Sequence, residues 1–202
     1  MNKNQLLESL KKQGFSEKII NAFSKVKREN FISKNLEERA YENIPLAIGK
    51  GATISQPYTI ATMLNMLNLK LGQKVLEIGS GCGYVLALIS EIIGNTGQVY
   101  GIEVIKDLAE KSKKNISNYK NIQIYNKNGR FGLKEKALFD RILISAGSKE
   151  ISKELLFELK NNGILVAPIG SRHMQSLVAI KRNQNKFKII SSKSGFIFVE
   201  LV

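Results

Sequence analysis

Residues 75–84, VLEIGSGCGY, end a short apolar run on the acid Glu77 and follow it with Gly79, Gly81 and Gly83. Glycines let backbone approach a ligand closely and accept positive φ. The apolar run behind them, 85–93, reads as a helix, and a helix start offers free N–H groups and partial positive charge. A second acid, Glu103, closes the next apolar run. If both runs are neighbouring parallel strands, the two carboxylates lie at strand carboxyl ends, where open α/β sheets bind ligands. A carboxylate in that place can accept both hydroxyls of a ribose. The remaining chemistry is sparse. The chain has one histidine, His173, and one cysteine, Cys82. They form no Ser-His-Asp set and no metal-ligand spacing, so a hydrolase or a metal centre would be hard to build here. His173 reads as an exposed loop residue, and Cys82 as a small residue packed behind the glycine turn.

The elements that must position these groups follow from periodicity. Residues 1–40 show apolar spacings of three and four, as in Leu6, Leu10, Ile19, Ile20 and Phe23, and read as helical. Gly14-Phe15-Ser16 separates two helices, with Ser16 in a position suited to an N-cap. Residues 41–57 carry two prolines and two glycines and read as an ordered loop; 58–69 return to helical spacing. From residue 71 strands and helices alternate. Strands are expected at 74–78, 98–103, 122–126, 139–145 and 164–168, with helices at 83–93, 106–118 and 152–159. Apolar runs of that kind belong to strands covered on both faces. The tail reads as three strands without helices, at 174–181, 187–192 and 195–202. The expected fold is therefore α/β: a doubly wound, mostly parallel Rossmann-like sheet with helices on both faces, an N-terminal helical extension and an antiparallel C-terminal edge. Residues 1–70 are expected to pack on a core of residues 71–202 as a single structural unit.

Composition narrows the class. The chain has 202 residues, 43% of them hydrophobic, enough for a real core. It shows no long apolar segment and no signal-peptide heart at its start. A single cysteine excludes an internal disulfide framework. A cytoplasmic protein without membrane contact is expected, and nothing demands an oligomer, so a monomer is expected. The net charge is +14. It could attract polyanions, but the lysines are dispersed along the chain and no nucleic-acid-binding signature accompanies them. The charge reads as surface solvation, and a nucleic-acid partner is not expected.

The glycine spacing is Gly-x-Gly-x-Gly, shorter than the Gly-x-Gly-x-x-Gly of dinucleotide sites. With Glu103 at the next strand end it fits a nucleoside with an amino-acid tail, which points to S-adenosyl-L-methionine. The alternative is that both acids merely end strands around a tight turn. Beyond this point the chain resembles class I methyltransferases, and within them the protein-L-isoaspartate O-methyltransferase family. The resemblance runs through AYENIPLAIGKGATISQPYTIATML (40–64), VLEIGSGCGY, FDRILISAG (139–147), NNGILVAPIG (161–170) and FVELV (198–202). GATISQP is the segment most particular to that family. The resemblance implies that Gly79, Ser80, Gly81 and Gly83 wrap the methionine portion of the donor, beside Glu77, and that Glu103 holds the ribose. It implies that Asn128 and Gly129 lie beside the adenine. Thr53, Ile54 and Ser55 would line the acceptor site, with Ser55 in the position regarded as active. Asn128 departs from the family's usual aspartate. Asparagine keeps one carbonyl acceptor but adds donors and loses the charge; the adenine contact can survive the exchange, and the alternative is weaker or altered cofactor binding.

The implied reaction moves a methyl group to the α-carboxyl of L-isoaspartyl residues in damaged proteins, starting their repair, with isoaspartyl proteins and peptides as partners. A carboxylate with a pKa of roughly 4 is already ionised at neutral pH. No general base is needed; positioning and exclusion of water suffice. Ser55 could donate a hydrogen bond to the acceptor, or could simply cap the helix that begins near Pro57. Two other functions stay open from the sequence. One is an RNA methyltransferase of the same fold, motivated by the charge. The other is a cofactor-binding relative without turnover, motivated by Asn128.

Overall fold

The computed structural model describes residues 1–201. Two helices open it: α1 (Lys3–Lys12), capped at both of its first free amides by an Asn2–Gln5 capping box, and α2 (Glu17–Lys25). Ser16 stands at the N-cap of α2 but makes no side-chain cap bond. Two 3-10 turns follow, Arg28–Phe31 and Lys34–Arg39. The expected loop over 41–57 contains a small antiparallel hairpin, β1 (Leu46–Gly49) and β2 (Ala52–Ile54). The glycines that read as loop supply its tip, where Gly49, Lys50 and Gly51 all take positive φ. Helix α3 (Pro57–Leu67) starts with Pro57 at its first position, where a missing N–H costs nothing.

The sheet then builds up as β3 (Lys74–Ile78), α4 (Tyr84–Ile93), β4 (Gln98–Glu103), α5 (Lys106–Asn115), β5 (Ile122–Asn126), β6 (Phe139–Ile144), α6 (Lys153–Phe157), β7 (Leu159–Ser171), β8 (Met174–Asn183) and β9 (Lys186–Phe196). Its order is β5-β4-β3-β6-β7-β8-β9. The pairs among β5, β4, β3, β6 and β7 are parallel; β7–β8 and β8–β9 are antiparallel. The doubly wound sheet with an antiparallel C-terminal edge is as the sequence predicts. The chain leaves β3 toward β4 and β5, then returns to β6 on its other side. The switch point lies at the carboxyl end of β3, between β4 and β6, and a crevice is expected there.

Side chains alternate across the sheet and build a core on each face. Val75 and Leu143 join the face covered by the N-terminal helices, through Leu6, Phe23, Ile60 and Leu86. Leu76, Ile78, Ile142 and Ile144 join the opposite face with Leu155 and Leu156 of α6. Two expectations for the tail are corrected. The strands expected at 187–192 and 195–202 are not separate: β9 runs through to Phe196. Residues 197–201 form no strand but cross back over the sheet's carboxyl edge, where Gly147 bridges Glu200. Val202, the last residue of the expected strand, lies outside the described residues. The tail is pinned by Phe198 N–H donating to the buried Gln175 Oε1 at 2.7 Å and Leu201 N–H donating to the Gly147 carbonyl at 2.8 Å.

Candidate active site

The glycine turn is tied to its neighbour strand before any ligand is considered. Gly79 and Ser80 N–H groups both donate to the Ile102 carbonyl, at 2.8 and 3.1 Å. Gly79, Gly81 and Gly83 have φ of 79°, 53° and 86°, which L side chains rarely adopt. They serve different ends. Gly79 and Gly81 face the crevice. Gly83 faces the other way and N-caps α4; a Cβ there would sit 2.5 Å from Ser112 Oγ of α5. Its role is close helix packing.

Glu103 is 5% exposed and fastened by main chain. Oε2 accepts from Gly81 N–H at 2.8 Å and Oε1 from Ile105 N–H at 2.9 Å. Each carboxylate oxygen can accept more than one hydrogen bond, so both keep capacity toward the crevice. The crevice encloses about 590 Å³ of space open to solvent, between walls that include Ile48, Ile78, Ile102 and Gly129. Gly129 is required on the wall: a Cβ would come within 2.2 Å of Ile78 Cγ2. Asn128 stands beside it as the cap of a 3-10 turn, with its Oδ1 accepting from Arg130 N–H at 2.9 Å. That acceptor is thus shared with the turn. The donor set, two fastened carboxylate oxygens above glycine backbone and an apolar slot, fits a nucleoside bearing an amino-acid tail.

Beneath the turn lies a second carboxyl group. Glu77 is 1% exposed, and its Oε1 accepts from Ser145 Oγ at 2.7 Å. Its other oxygen and the Ser80 hydroxyl are buried without a partner in the protein. Burial pushes the Glu77 pKa up to about 8; Ser145 lowers it and Glu103 raises it. Glu77 is therefore a neutral acid at neutral pH, and a donor. Cys82, also in the turn, is buried and its thiol is pushed up to about 11 by burial, which leaves it unreactive. Among the described residues no His, Cys, Asp and Glu cluster could hold a metal ion. His173 is exposed.

Thr53, Ile54 and Ser55 come from β2 and the residue after it. Thr53 lies on the wall of the crevice and also of a neighbouring groove of about 1070 Å³ of open space. That groove is bounded by Ser55, Tyr58, Lys193, Phe198 and Val199. Ile54 and Ser55 reach the small space above Glu77 and Ser80. Ser55 is not the helix cap: the N-cap of α3 is Gln56. The structure thus brings Gly79, Gly81, Glu103, Gly129 and Thr53 around the crevice, places Glu77, Ser80, Ile54 and Ser55 on the small adjoining space that Thr53, Gly79 and Gly81 share, and leaves Gly83 behind the turn and Asn128 beside Gly129. Sequence reading missed Ser145, which borders both the crevice and the groove. Its place at the end of β6, across the switch point from Glu103, is the signal that would have found it. Val199, Glu200 and Leu201 also form the rim, through tertiary contacts that no local pattern announces.

The family model and the relatives described next share one family. The family model described as protein-L-isoaspartate(D-aspartate) O-methyltransferase matches residues 1–202. A protein-L-isoaspartate O-methyltransferase of Methanothrix thermoacetophila is 38% identical, covering 100% of this chain and 95% of that protein. One of Fervidobacterium nodosum is 43% identical over 90% of this chain and 92% of its own. Among solved structures, a protein-L-isoaspartate O-methyltransferase superposes with a TM-score of 0.92 at 28% identity, covering 98% of this chain and 65% of that one. A second, from Plasmodium falciparum and in complex with S-adenosyl-L-homocysteine, superposes with a TM-score of 0.84 at 30% identity, covering 100% of this chain and 99% of the other.

Two outcomes follow from the carboxyl groups. Glu103→Ala should weaken S-adenosylhomocysteine binding by about 1–3 kcal/mol, the scale of hydrogen bonds to a charged acceptor; calorimetric titration reads it, and unchanged affinity would contradict the role. Glu77 stays protonated in the folded state up to about pH 8 but ionises in the unfolded chain above its ordinary 4.5. Its contribution to stability is present below the lower value and is lost as pH rises toward the upper one. Glu77→Gln, which keeps the acceptor for Ser145, should gain stability over the parent from about pH 5 to pH 8 in urea unfolding. A pH-independent difference would contradict the assignment.

Proposed function

Because this chain belongs to the protein-L-isoaspartate(D-aspartate) O-methyltransferase family, we propose that it methylates the α-carboxyl of L-isoaspartyl residues in damaged proteins and peptides, using S-adenosyl-L-methionine. The observation that carries this reading is the shared wall. Thr53 borders both the Glu103 crevice and the neighbouring open groove, Ser55 borders that groove, and both meet Ile54 on the small space between glycine turn and hairpin.

S-adenosylmethionine supplies a methyl group already activated on a sulfonium. The chain's own residues do the rest. Glu103 takes the ribose hydroxyls with the acceptor capacity that Gly81 and Ile105 leave free. Gly79, Ser80 and Gly81 offer backbone at close approach to the amino-acid tail, and neutral Glu77 buttresses them through Ser145. Gly129 flattens the adenine wall, with Asn128 at its edge. Ile48, Ile78 and Ile102 exclude water, so the acceptor carboxylate loses part of its hydration on binding. Ser55 donates a hydrogen bond that aims one carboxylate oxygen. No base is required, because the acceptor carries no proton to remove. The methyl ester that forms then cyclises to a succinimide when the following backbone nitrogen attacks its carbonyl and methanol leaves. Hydrolysis returns part of the product to normal aspartate.

In the same reading, residues 1–70 and 71–202 act as one unit, supported by a core cluster that joins Leu6, Phe23 and Ile60 to Leu86 and Leu143. The enzyme works as a monomer, since every wall of the crevice comes from one chain. No helix among the described residues is long and apolar enough to cross a membrane. We place the enzyme in the cytoplasm, where a lone thiol such as Cys82 stays reduced.

A methyl-transfer assay on an isoaspartyl peptide and its aspartyl twin tests the reading. Transfer to the first and not the second is expected; equal or absent transfer to both would sink it. Ser55→Ala should lower turnover by about 10-fold or more while S-adenosylhomocysteine affinity holds, the pattern of an interaction made at the reacting group.

A further inference from the structure

Arg28 is fully buried, with 0% of its surface exposed, and no carboxylate faces it. Burial pulls its pKa below the ordinary value, with Tyr84 and Cys82 acting the other way, yet an arginine stays protonated across the physiological range. Five main-chain carbonyls meet its two Nη groups, while Nε is buried without a partner among the described residues. Nη1 donates to Ala40 at 2.7 Å and Glu42 at 3.4 Å. Nη2 donates to Ile44 at 3.1 Å, Ile54 at 3.5 Å and Ser55 at 3.1 Å.

The order of these carbonyls matters. Ile44 lies just before the β1–β2 hairpin; Ile54 and Ser55 lie at its exit. One nitrogen therefore ties the two strands of the hairpin's neck together. The 3-10 turn that carries Arg28 is itself registered to the glycine turn. Phe31 packs edge-on against Tyr84, centroids 5.3 Å apart, and Tyr84 is the first residue of α4 after Gly83. The chain of contacts runs from the donor turn through Phe31 and Arg28 to the Ser55 carbonyl.

We propose that Arg28 is a positioning residue for methyl transfer: its guanidinium closes the neck of the hairpin and sets Thr53, Ile54 and Ser55 against the donor crevice. This rests on the function proposed above. A planar fork is needed, because Nη1 holds the Ala40 and Glu42 carbonyls while Nη2 holds the neck, and a lysine ammonium, a single nitrogen, cannot occupy both places. Misplacement of the acceptor by about 1 Å can cost on the order of 10²-fold in rate.

The test uses the full chain and Arg28→Lys. Hydrogen exchange of the amides of residues 46–56 should quicken while those of β3 and β4 keep their parental rates. The kcat/KM for an isoaspartyl peptide should fall on the order of 10²-fold, with a smaller loss of S-adenosylhomocysteine affinity. That split is the reverse of the one expected for Glu103→Ala. Parental exchange over residues 46–56, or proportionate loss of peptide and cofactor binding with faster exchange throughout the sheet, would overturn the proposal. If Arg28→Lys does not fold, arginine-labelled NMR of the unaltered protein decides. Individually resolved Arg28 Nη protons are expected of a guanidinium pinned on both sides, and averaged ones would overturn it. An unaltered enzyme that fails to methylate the isoaspartyl peptide would refute the function instead, while the exchange and Nη readings would still judge the clasp.

Discussion

The Glu103 carboxylate, held between the Gly81 and Ile105 amides, is the constraint around which the crevice is arranged. It ties the first crossover turn to the end of the neighbouring strand. Burying a carboxylate is costly unless hydrogen bonds replace its water. Here two backbone amides do so, which fixes the oxygens without consuming their whole acceptor capacity. The positive φ at Gly81 goes with this, because the turn must bring that amide to the carboxylate. The Gly79 amide goes to the Ile102 carbonyl instead, and side chains are excluded at Gly129 by Ile78.

Arg28 is the counterpart on the other side of the crevice. Glu103 is a buried acid met by amides alone, and Arg28 a buried base met by carbonyls alone. Neither charge is matched by a side chain of opposite sign. Main-chain partners are fixed by the fold, so each group is held in one place and holds its loop in one place. In the proposed reading Glu103 serves the donor and Arg28 the acceptor. Between them lie Ser145 and neutral Glu77, a short hydrogen-bonded pair beneath the point where crevice and groove meet. A carboxyl group that stays protonated there avoids placing a second negative charge under an anionic acceptor. The site thus needs no base and no metal-ligating cluster, only groups that cannot move.

How much of this the sequence shows depends on the range of the interactions. β3, β4 and β5 start and stop where the sequence predicts; for β3 and β4 the cause is cover on both faces, which makes their apolar runs legible. The glycine turn and Glu103 are legible for the same reason: their spacing is local. The hairpin at 46–54 is hidden because its tip residues look like any loop. The FIFVELV tail alternates like a strand, yet one side-chain bond from Gln175 and the bridge to Gly147 draw residues 197–201 over the crevice instead. β9 looks like two strands because the polar run at 191–194 sits on an exposed edge. Arg28 is the least legible of all. Residues 25–30, KVKREN, hold four charged side chains, and only the folded chain shows that Arg28 alone among those four is buried.

The account rests on one division of labour: Glu103 fixes the donor, and the hairpin neck fixes the acceptor a bond length's reach away. A crystal structure with S-adenosylhomocysteine and an isoaspartyl peptide bound together tests it most directly. Ribose hydroxyls on Glu103 and the isoaspartyl α-carboxylate on Ser55, with Arg28 still on the Ile44 and Ser55 carbonyls, is the predicted result. A ribose held elsewhere, or a carboxylate bound without Ser55, would contradict it.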